Sequence, residues 1–259
     1  MTALVTGASR GIGRAVALEL ARRGTAVVAT MRDPEDGADL ASGDLPVEVV
    51  RLDVTDPATI AIPDDLTLIV NNAGIECDYL PVEHQPLEDW RAVFETNLFG
   101  LVEVTRRAIP RLRANGGGVI ANVTSSSLAV PMPFYGVYRA SKAAVAALSE
   151  TLRVEVATFG IRVVEVLPGP VATDMLAASA RLPEAASFDG YAELAGHAHQ
   201  GRLAVEPMTT PVDEAARRIV DAITSDDPPL KVGADDLGQQ LLDAWLDDPR
   251  ALLGISRPR

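Results

Sequence analysis

Apolar residues follow two spacings along this chain. Continuous runs rich in Val, Ile and Leu cover Ala3–Thr6, Ala26–Thr30, Val47–Leu52, Leu66–Val70, Gly118–Val123, Ile161–Leu167 and a brief Leu230–Val232. They lack the alternation of a half-solvated strand, so they read as strands buried on both faces of a parallel sheet. Between them, apolar positions recur every three or four residues and predict helices over Ile12–Arg23, Leu87–Arg113, Val137–Phe159, Pro211–Thr224 and Asp236–Trp245. Gly24 is placed to stop the first helix, and Thr210-Pro211 reads as an N-cap followed by Pro at the first helical position. Strands separated by helices imply right-handed βαβ crossovers, hence an α/β fold built on a doubly wound parallel sheet. Two stretches resist this pattern. Thr55–Asp65, with Pro57 and Pro63, is too short for a full crossover helix and predicts a very short helix or an irregular connection. Val171–Thr209 shows no strong periodicity.

The 259 residues contain no repeat and no Pro- or Gly/Ser-rich linker, so residues 1–259 are read as a single domain. A formal net charge of −13 argues against a general nucleic-acid or anionic-membrane surface. There is neither a signal-peptide pattern nor an 18-residue apolar run, and the one cysteine, Cys77, fits a reducing compartment. These features predict a soluble cytoplasmic protein. Basic residues are skewed: 21 of the 23 are Arg, and only Lys142 and Lys231 are Lys.

Ligands of such sheets bind at the carboxyl ends of the strands, and nearly every unusual cluster here follows a predicted strand. Thr6-Gly-Ala-Ser-Arg-Gly-Ile-Gly13 is a tight turn from strand to helix. Gly7, Ser9, Arg10, Gly11, Ile12 and Gly13 can bring backbone N–H groups and a helix N-terminus to a pyrophosphate. The second strand ends Ala29-Thr30-Met31-Arg32 with no acid to accept from a ribose 2′-hydroxyl. Arg32 and Arg10 suit a 2′-phosphate, which favours NADP over NAD, although Asp33 follows at once and both arginines also read as surface charges. Tyr138 and Lys142 are four apart and share a helix face. An ammonium beside a phenol stabilises the phenolate, so the pair can exchange a proton with a carbonyl or alcohol oxygen. Lys in so Arg-rich a chain supports a choice made for its chemistry, since an amine can relay protons and a guanidinium cannot. One of Ser125, Ser126 and Ser127 can hold the substrate oxygen. Asn97 lies in a predicted helix that its propensity does not favour.

Together these residues resemble the short-chain dehydrogenase/reductase family in its compact, single-domain, Rossmann-like form. Thr6–Gly13, Asp53, Asn71-Asn-Ala-Gly74, Asn97, Ser125, Tyr138-x-x-x-Lys142, Pro168-Gly169 and Thr173 occur in the family's order over about two thirds of the chain. The resemblance implies Tyr138 as acid/base, Ser125 orienting the substrate, and Lys142 lowering the Tyr138 pKa while holding the nicotinamide ribose. Asn97 would position a relay water. The family's serine lies thirteen positions before its tyrosine, which selects Ser125, and Tyr135 is a decoy because Arg139 lies four positions on. Asp53 would meet the adenine, Asn71, Ala73 and Gly74 the adenosine side, and Thr173, following Pro168 and Gly169, the nicotinamide carboxamide. The family's homodimers and homotetramers bury the helices carrying Asn97 and Tyr138; Val145, Leu148, Leu152 and Val156 would serve such an interface or the core.

By the same resemblance a substrate lid falls at about 171–209. Met175, Leu176, Phe188, Tyr191, His197 and His199, with Pro131, Met132, Pro133 and Phe134, suggest a mainly apolar pocket, or simply pack the lid on the body. No ligand spacing supports a metal, and no G-x-S-x-G elbow supports a hydrolase. The acid-rich Asp33–Asp39 and Asp226-Asp227 read as solvated surface. The expected function is hydride transfer between NADP(H) and a ketone or secondary alcohol. The alternative is a non-catalytic dinucleotide-binding scaffold or redox sensor, which would not need Asn97, Ser125, Tyr138 and Lys142 together.

Overall fold

A computed structural model describes residues 1–179 and 181–248; the expected end of the domain at residue 259 and Ala180 of the lid lie outside the described residues. Seven strands, β1 (Thr2–Thr6), β2 (Ala26–Met31), β3 (Val47–Arg51), β4 (Leu66–Asn71), β5 (Gly118–Val123), β6 (Ile161–Leu167) and β7 (Lys231–Gly233), form a wholly parallel sheet in the order β3-β2-β1-β4-β5-β6-β7. Strand order reverses between β1 and β4, and the crevice at their carboxyl ends is where such a sheet takes a ligand. The helices are α1 (Gly11–Arg22), α2 (Ala38–Ala41), α3 (Leu87–Phe94), α4 (Leu101–Ala114), α5 (Gly136–Val156), α6 (Asp174–Ala178), α7 (Ala192–Ala204), α8 (Val212–Ile223) and α9 (Asp236–Asp247).

The sheet is covered on both faces. Ala3 and Val5 of β1 pack with Val16 and Leu20 of α1 and Ile219 and Ile223 of α8. Leu4, between them, points the other way and joins Ile69, Ile120, Val104 and Leu112 of α4 and Leu152 of α5. Consecutive strand residues face opposite sides, so the continuous apolar runs supply both core layers. On α5, Val145, Leu152 and Val156 are buried within the chain, while Leu148 is half-exposed.

Several local expectations need correction. Leu87–Arg113 is helical but not one α-helix: Glu95–Gly100 forms a π-helical turn between α3 and α4. Pro211 is itself the N-cap residue of α8, with φ −56° and ψ 139°, so the helix starts one residue later. Gly24 does end α1, adopting φ +84° just past the C-cap. Between Asp53 and Leu66 the only helical element is a three-residue 3-10 turn, Pro57–Thr59. The acids of Asp33–Asp39 are exposed, as expected, on ordered backbone: Asp33 caps a 3-10 turn over Pro34–Gly37, α2 follows, and Asp39 pairs with Arg14 of α1. The weakly periodic lid contains α6 and α7. Only Ala195 of α7 is buried, so the sequence carries no apolar stripe to betray that helix.

Candidate active site

At the switch point, Thr6 and Asn72 tie two strand ends together. Thr6 Oγ1 accepts the N–H groups of Asn72 and Ala73 at 3.0 and 3.1 Å. Asn72 Nδ2 donates to the carbonyls of Thr6 and Gly7 at 3.0 and 3.1 Å. A Cβ on Gly13 would lie 2.3 Å from Asn72 Nδ2 and 2.5 Å from the Gly7 carbonyl, so this loop closes only around glycine. Behind it, α1 begins with no side-chain cap at Arg10 and no acid in its first turn. Free N–H groups and a positive helix end are thus left to an anion. The residues present fit the pyrophosphate of a dinucleotide, with Gly7, Ser9, Gly11 and Gly13 lining the turn and Ile12 packed against the core beneath it.

The positions expected to select the cofactor lie at the ends of β1, β2 and β3. Arg32 is exposed and close enough to Asp53 to help hold its carboxyl below the usual range. Burial of Asp53 opposes that shift, and Thr55 N–H, Thr55 Oγ1 and Arg51 add to it. Asp33 is occupied, accepting from the Glu35 N–H at 3.1 Å. Arg10 is turned toward Asp174 at the start of α6, 3.5 Å away, both side chains exposed.

Asn71 departs from expectation. Its side chain is buried and points into the sheet, donating to Thr105 Oγ1 at 2.9 Å and Asn122 Oδ1 at 2.8 Å. Only its backbone is left to face an adenosine, and the neighbour Asn72 does the work at the rim. Asn97, in the π turn, accepts from the Ile75 N–H at 2.8 Å and donates to the Ile75 carbonyl at 2.9 Å and Ser141 Oγ at 3.0 Å. Ser141 in turn donates to the Tyr138 carbonyl at 2.7 Å, linking Asn97 to the backbone of the tyrosine. A Cβ on Gly74 would stand 3.2 Å from Asn97 Oδ1 and 3.5 Å from Lys142 Nζ, so these two groups flank that glycine.

Tyr138 and Lys142 lie on the first turns of α5, over the end of β5. Ser125 stands near enough to the Tyr138 hydroxyl to oppose the rise of its pKa, and its Oγ accepts from the Ser127 N–H at 3.1 Å. Ser127 is buried and Ser126 is tied by its N–H to the Pro168 carbonyl at 2.8 Å, while Ser125 acts on the tyrosine. Lys142 Nζ stands 5.7 Å from the centre of the Tyr138 ring and donates to the Val123 carbonyl at 2.8 Å. The expected lowering of the Tyr138 pKa is absent here. Burial pushes the phenol well above its ordinary value, the Glu76 carboxylate adds to this, and Ser125 only partly opposes it. Lys142 is itself lowered to about 8 by burial. Burial is the largest cause of both shifts.

Thr173 caps α6, accepting from the Leu176 N–H at 3.3 Å, and its methyl lies against Gly11. The loop at Pro168-Gly169 is held from below by Asp235, a buried residue that sequence reasoning missed. One Asp235 oxygen accepts from the Gly169 N–H at 2.5 Å, and the other caps α9 through the Gly238 N–H at 2.8 Å. An Asp directly before an amphipathic helix is an N-cap signal and would have found it.

Beside Tyr138 stand Tyr135 and Tyr79. Their rings stack with centroids 4.5 Å apart, and Tyr135 Oη donates to Tyr79 Oη at 3.1 Å. The lid is fastened to the body. His84 stacks on Phe188 at 4.3 Å, and Tyr191 Oη donates to Glu83 at 2.6 Å. Phe188 and Tyr191 therefore serve packing, while Met175 stays exposed. His197 and His199 lie on α7, and among the described residues no three His, Cys, Asp or Glu side chains gather as a metal site. Among those residues no helix is long and apolar enough to cross a membrane.

Comparison with known proteins agrees with this geometry. Residues 1–182 match the family model for short chain dehydrogenases. A short-chain type dehydrogenase/reductase from Picea abies is 38% identical over 193 residues, covering 67% of this chain and 71% of its own. A short-chain dehydrogenase from Streptomyces avermitilis superposes with a TM-score of 0.81 at 31% identity, covering 96% of this chain and 93% of its own. Another, from Burkholderia cenocepacia J2315 in complex with NADP, gives 0.77 at 31% identity, covering 97% of this chain and 94% of its own. The chain belongs to the short-chain dehydrogenase/reductase family of oxidoreductases, which use a nicotinamide cofactor on small-molecule substrates.

Proposed function

We propose that this protein is an NADP(H)-dependent carbonyl reductase acting reversibly on a ketone or secondary alcohol. The observation that carries the reading is the gathering of Ser125, Tyr138 and buried Lys142, with Nζ 5.7 Å from the Tyr138 ring centre, on the same rim of strand ends as the glycine loop. The bound cofactor supplies the hydride that adds to the carbonyl carbon. The chain's own residues handle the oxygen. Ser125 and Tyr138 hold it, and Tyr138, kept as a neutral phenol by burial, donates the proton that completes the alcohol. Lys142, with Asn97 across Gly74, stands where it can return a proton to the tyrosine. In the reverse direction Tyr138 takes up the alcohol proton only after losing its own; reduction is proposed as the working sense on the strength of the NADP(H) reading.

Preference for NADP(H) is supported by Arg32, exposed at the end of β2, and by Asp33, whose carboxylate is committed to the Glu35 N–H. Binding a 2′-phosphate would draw Arg10 from its exposed contact with Asp174, a pairing worth little in water. Pro168, Gly169 and Thr173 would lie along the nicotinamide side, and Asp53, Ala73, Gly74 and the Asn71 backbone along the adenosine. The protomers are proposed to form a homodimer or homotetramer through α3 and the π turn that follows it, where Trp90, Phe94 and exposed Phe99 line an apolar cleft.

A panel of ketones and secondary alcohols with NADPH and NADH tests the reading. Wild type should turn over ketones with NADPH in preference to NADH, and Arg32→Asp should reverse that preference. Tyr138→Phe should retain cofactor binding and lose at least about 100-fold in kcat; unchanged turnover in that variant would remove the acid/base assignment.

A further inference from the structure

Ser141 lies on α5 between Tyr138 and Lys142 in sequence, and it is fully buried. Its hydroxyl joins this helix to Asn97. Oγ accepts from Asn97 Nδ2 at 3.0 Å and donates to the Tyr138 carbonyl at 2.7 Å. In the helical ladder that carbonyl also receives the Lys142 N–H, so Ser141 grips the backbone link between the tyrosine and the lysine. The other amide hydrogen of Asn97 goes to the Ile75 carbonyl at 2.9 Å, and Oδ1 accepts from the Ile75 N–H at 2.8 Å. Oδ1 and Lys142 Nζ lie 3.2 and 3.5 Å from where a Gly74 Cβ would stand. Four hydrogen bonds thus tie α5, the π turn and the loop after β4 together around the lysine.

A serine hydroxyl has one donor and two acceptor lone pairs. With its donor spent on the Tyr138 carbonyl, Ser141 meets Asn97 as an acceptor. Ile75 demands the same sense of the amide, so the oxygen of Asn97 is set on the Gly74 side and its nitrogen toward the helix. Without the hydroxyl, one buried amide hydrogen has no acceptor, a costly state that the side chain can leave only by moving. Ser149 shows the same pattern away from the site. Equally buried and eight residues further along α5, it donates to the Val145 carbonyl at 2.8 Å and accepts from Asn122 Nδ2 of β5 at 2.8 Å. That anchor already ties α5 to the sheet, so Ser141 is not needed to dock the helix.

From this arrangement we infer that Ser141 is a positioning residue for proton return, fixing Asn97 across Gly74 from the lysine that reprotonates Tyr138. The inference rests on the reductase reading and on the roles proposed there for Tyr138, Lys142 and Asn97. In each turnover Tyr138 gives its proton to the substrate oxygen and recovers one from the Lys142 ammonium. The amine left behind regains a proton from solvent. Ser141 exchanges no proton with the substrate and acts through Asn97.

Ketone reduction with NADPH should show Ser141→Ala losing about 10-fold in kcat, with the ketone KM and the NADPH Kd within about twofold of wild type. Ser141→Thr, which keeps the hydroxyl, should recover most of that loss. Adding Ser141→Ala to Asn97→Ala should cost less than about twofold more, because the serine acts through the asparagine. Ser149→Ala removes an equally buried hydroxyl from the same helix and should lower the thermal midpoint while leaving kcat within about twofold. A wild-type kcat in Ser141→Ala overturns the inference. So does a loss shared equally by kcat, KM and Kd, or one undiminished in the Asn97→Ala background. Should no ketone turn over, the reductase reading fails and amide NMR reads the link itself; the same spectra decide if Asn97→Ala is too slow to assay. Both Asn97 side-chain hydrogens protected from solvent exchange in wild type, and one released in Ser141→Ala, uphold the positioning of Asn97. Equal exchange in the two proteins overturns it.

Discussion

Only two of the 23 basic residues are lysines, and both occupy surroundings that suit an ammonium better than a guanidinium. Lys142, 4% exposed, has a single backbone carbonyl to donate to, where an arginine's five donors would go largely unsatisfied. Lys231 reaches buried Glu165 at 2.6 Å and Glu150 at 3.0 Å, with Nζ 5.4 Å from the Trp245 ring centre. The two lysines thus mark burial at Lys142 and a pair of carboxylate partners at Lys231. Burial lowers Lys142 from 10.5 to about 8. Between those values the unfolded chain holds a proton that the folded chain has lost, so stability rises with pH across that window by about 3 kcal/mol. Below about pH 8 both states are charged and the burial penalty is constant. Urea unfolding of wild type and Lys142→Met should show the wild-type advantage growing by that amount between pH 8 and 10.5, and a flat difference would mean an ordinary lysine. At this scale the residue types of the site were legible in the sequence but their orientations were not. Asn71 and Asn72 are identical side chains on adjacent positions of a strand end. One faces into the sheet and the other faces the glycine loop, and only the pleat decides which.

Elements buried on both faces were legible because continuous apolar composition is itself their signal, as in β1, β4, β5 and β6. Elements with little burial were not. Helix α7 buries one residue, α2 is four residues long, and the π turn around Asn97 leaves no mark on apolar spacing. The loop after β6 shows how an element far along the chain supports the rim. Asp235 joins the start of α9 to Gly169. Asp235→Ala removes a helix cap and strands the Gly169 N–H, which should cost roughly 2–4 kcal/mol by chemical denaturation. It should also raise KM for the cofactor with less effect on kcat, since the residue touches neither cofactor nor substrate. Asp235→Asn, which keeps one acceptor, should recover part of both losses.

Across the whole molecule, charge and apolar surface set how the chain meets partners. A net charge of −13 disfavours polyanions in general, while a dinucleotide needs only the local field of a helix N-terminus and nearby arginines. The cleft formed by Trp90, Phe94 and Phe99 is the apolar face proposed for self-association, with Phe99 56% exposed. Phe99→Glu should shift the protein to monomer by light scattering and leave its helical circular dichroism intact. A wild-type protein that is already monomeric would remove the proposed assembly. The sequence by itself determined the parallel α/β sheet, its strand-end rim and the residue types on that rim, because burial on two faces and tight turns restrict composition locally. Tertiary structure alone decided that Asn71 turns inward and that Asp235 approaches the site. It also decided that burial pushes the Tyr138 phenol up and the Lys142 ammonium down. Those outcomes depend on desolvation and on contacts between segments such as Gly169 and Asp235, 66 residues apart, which no local pattern records.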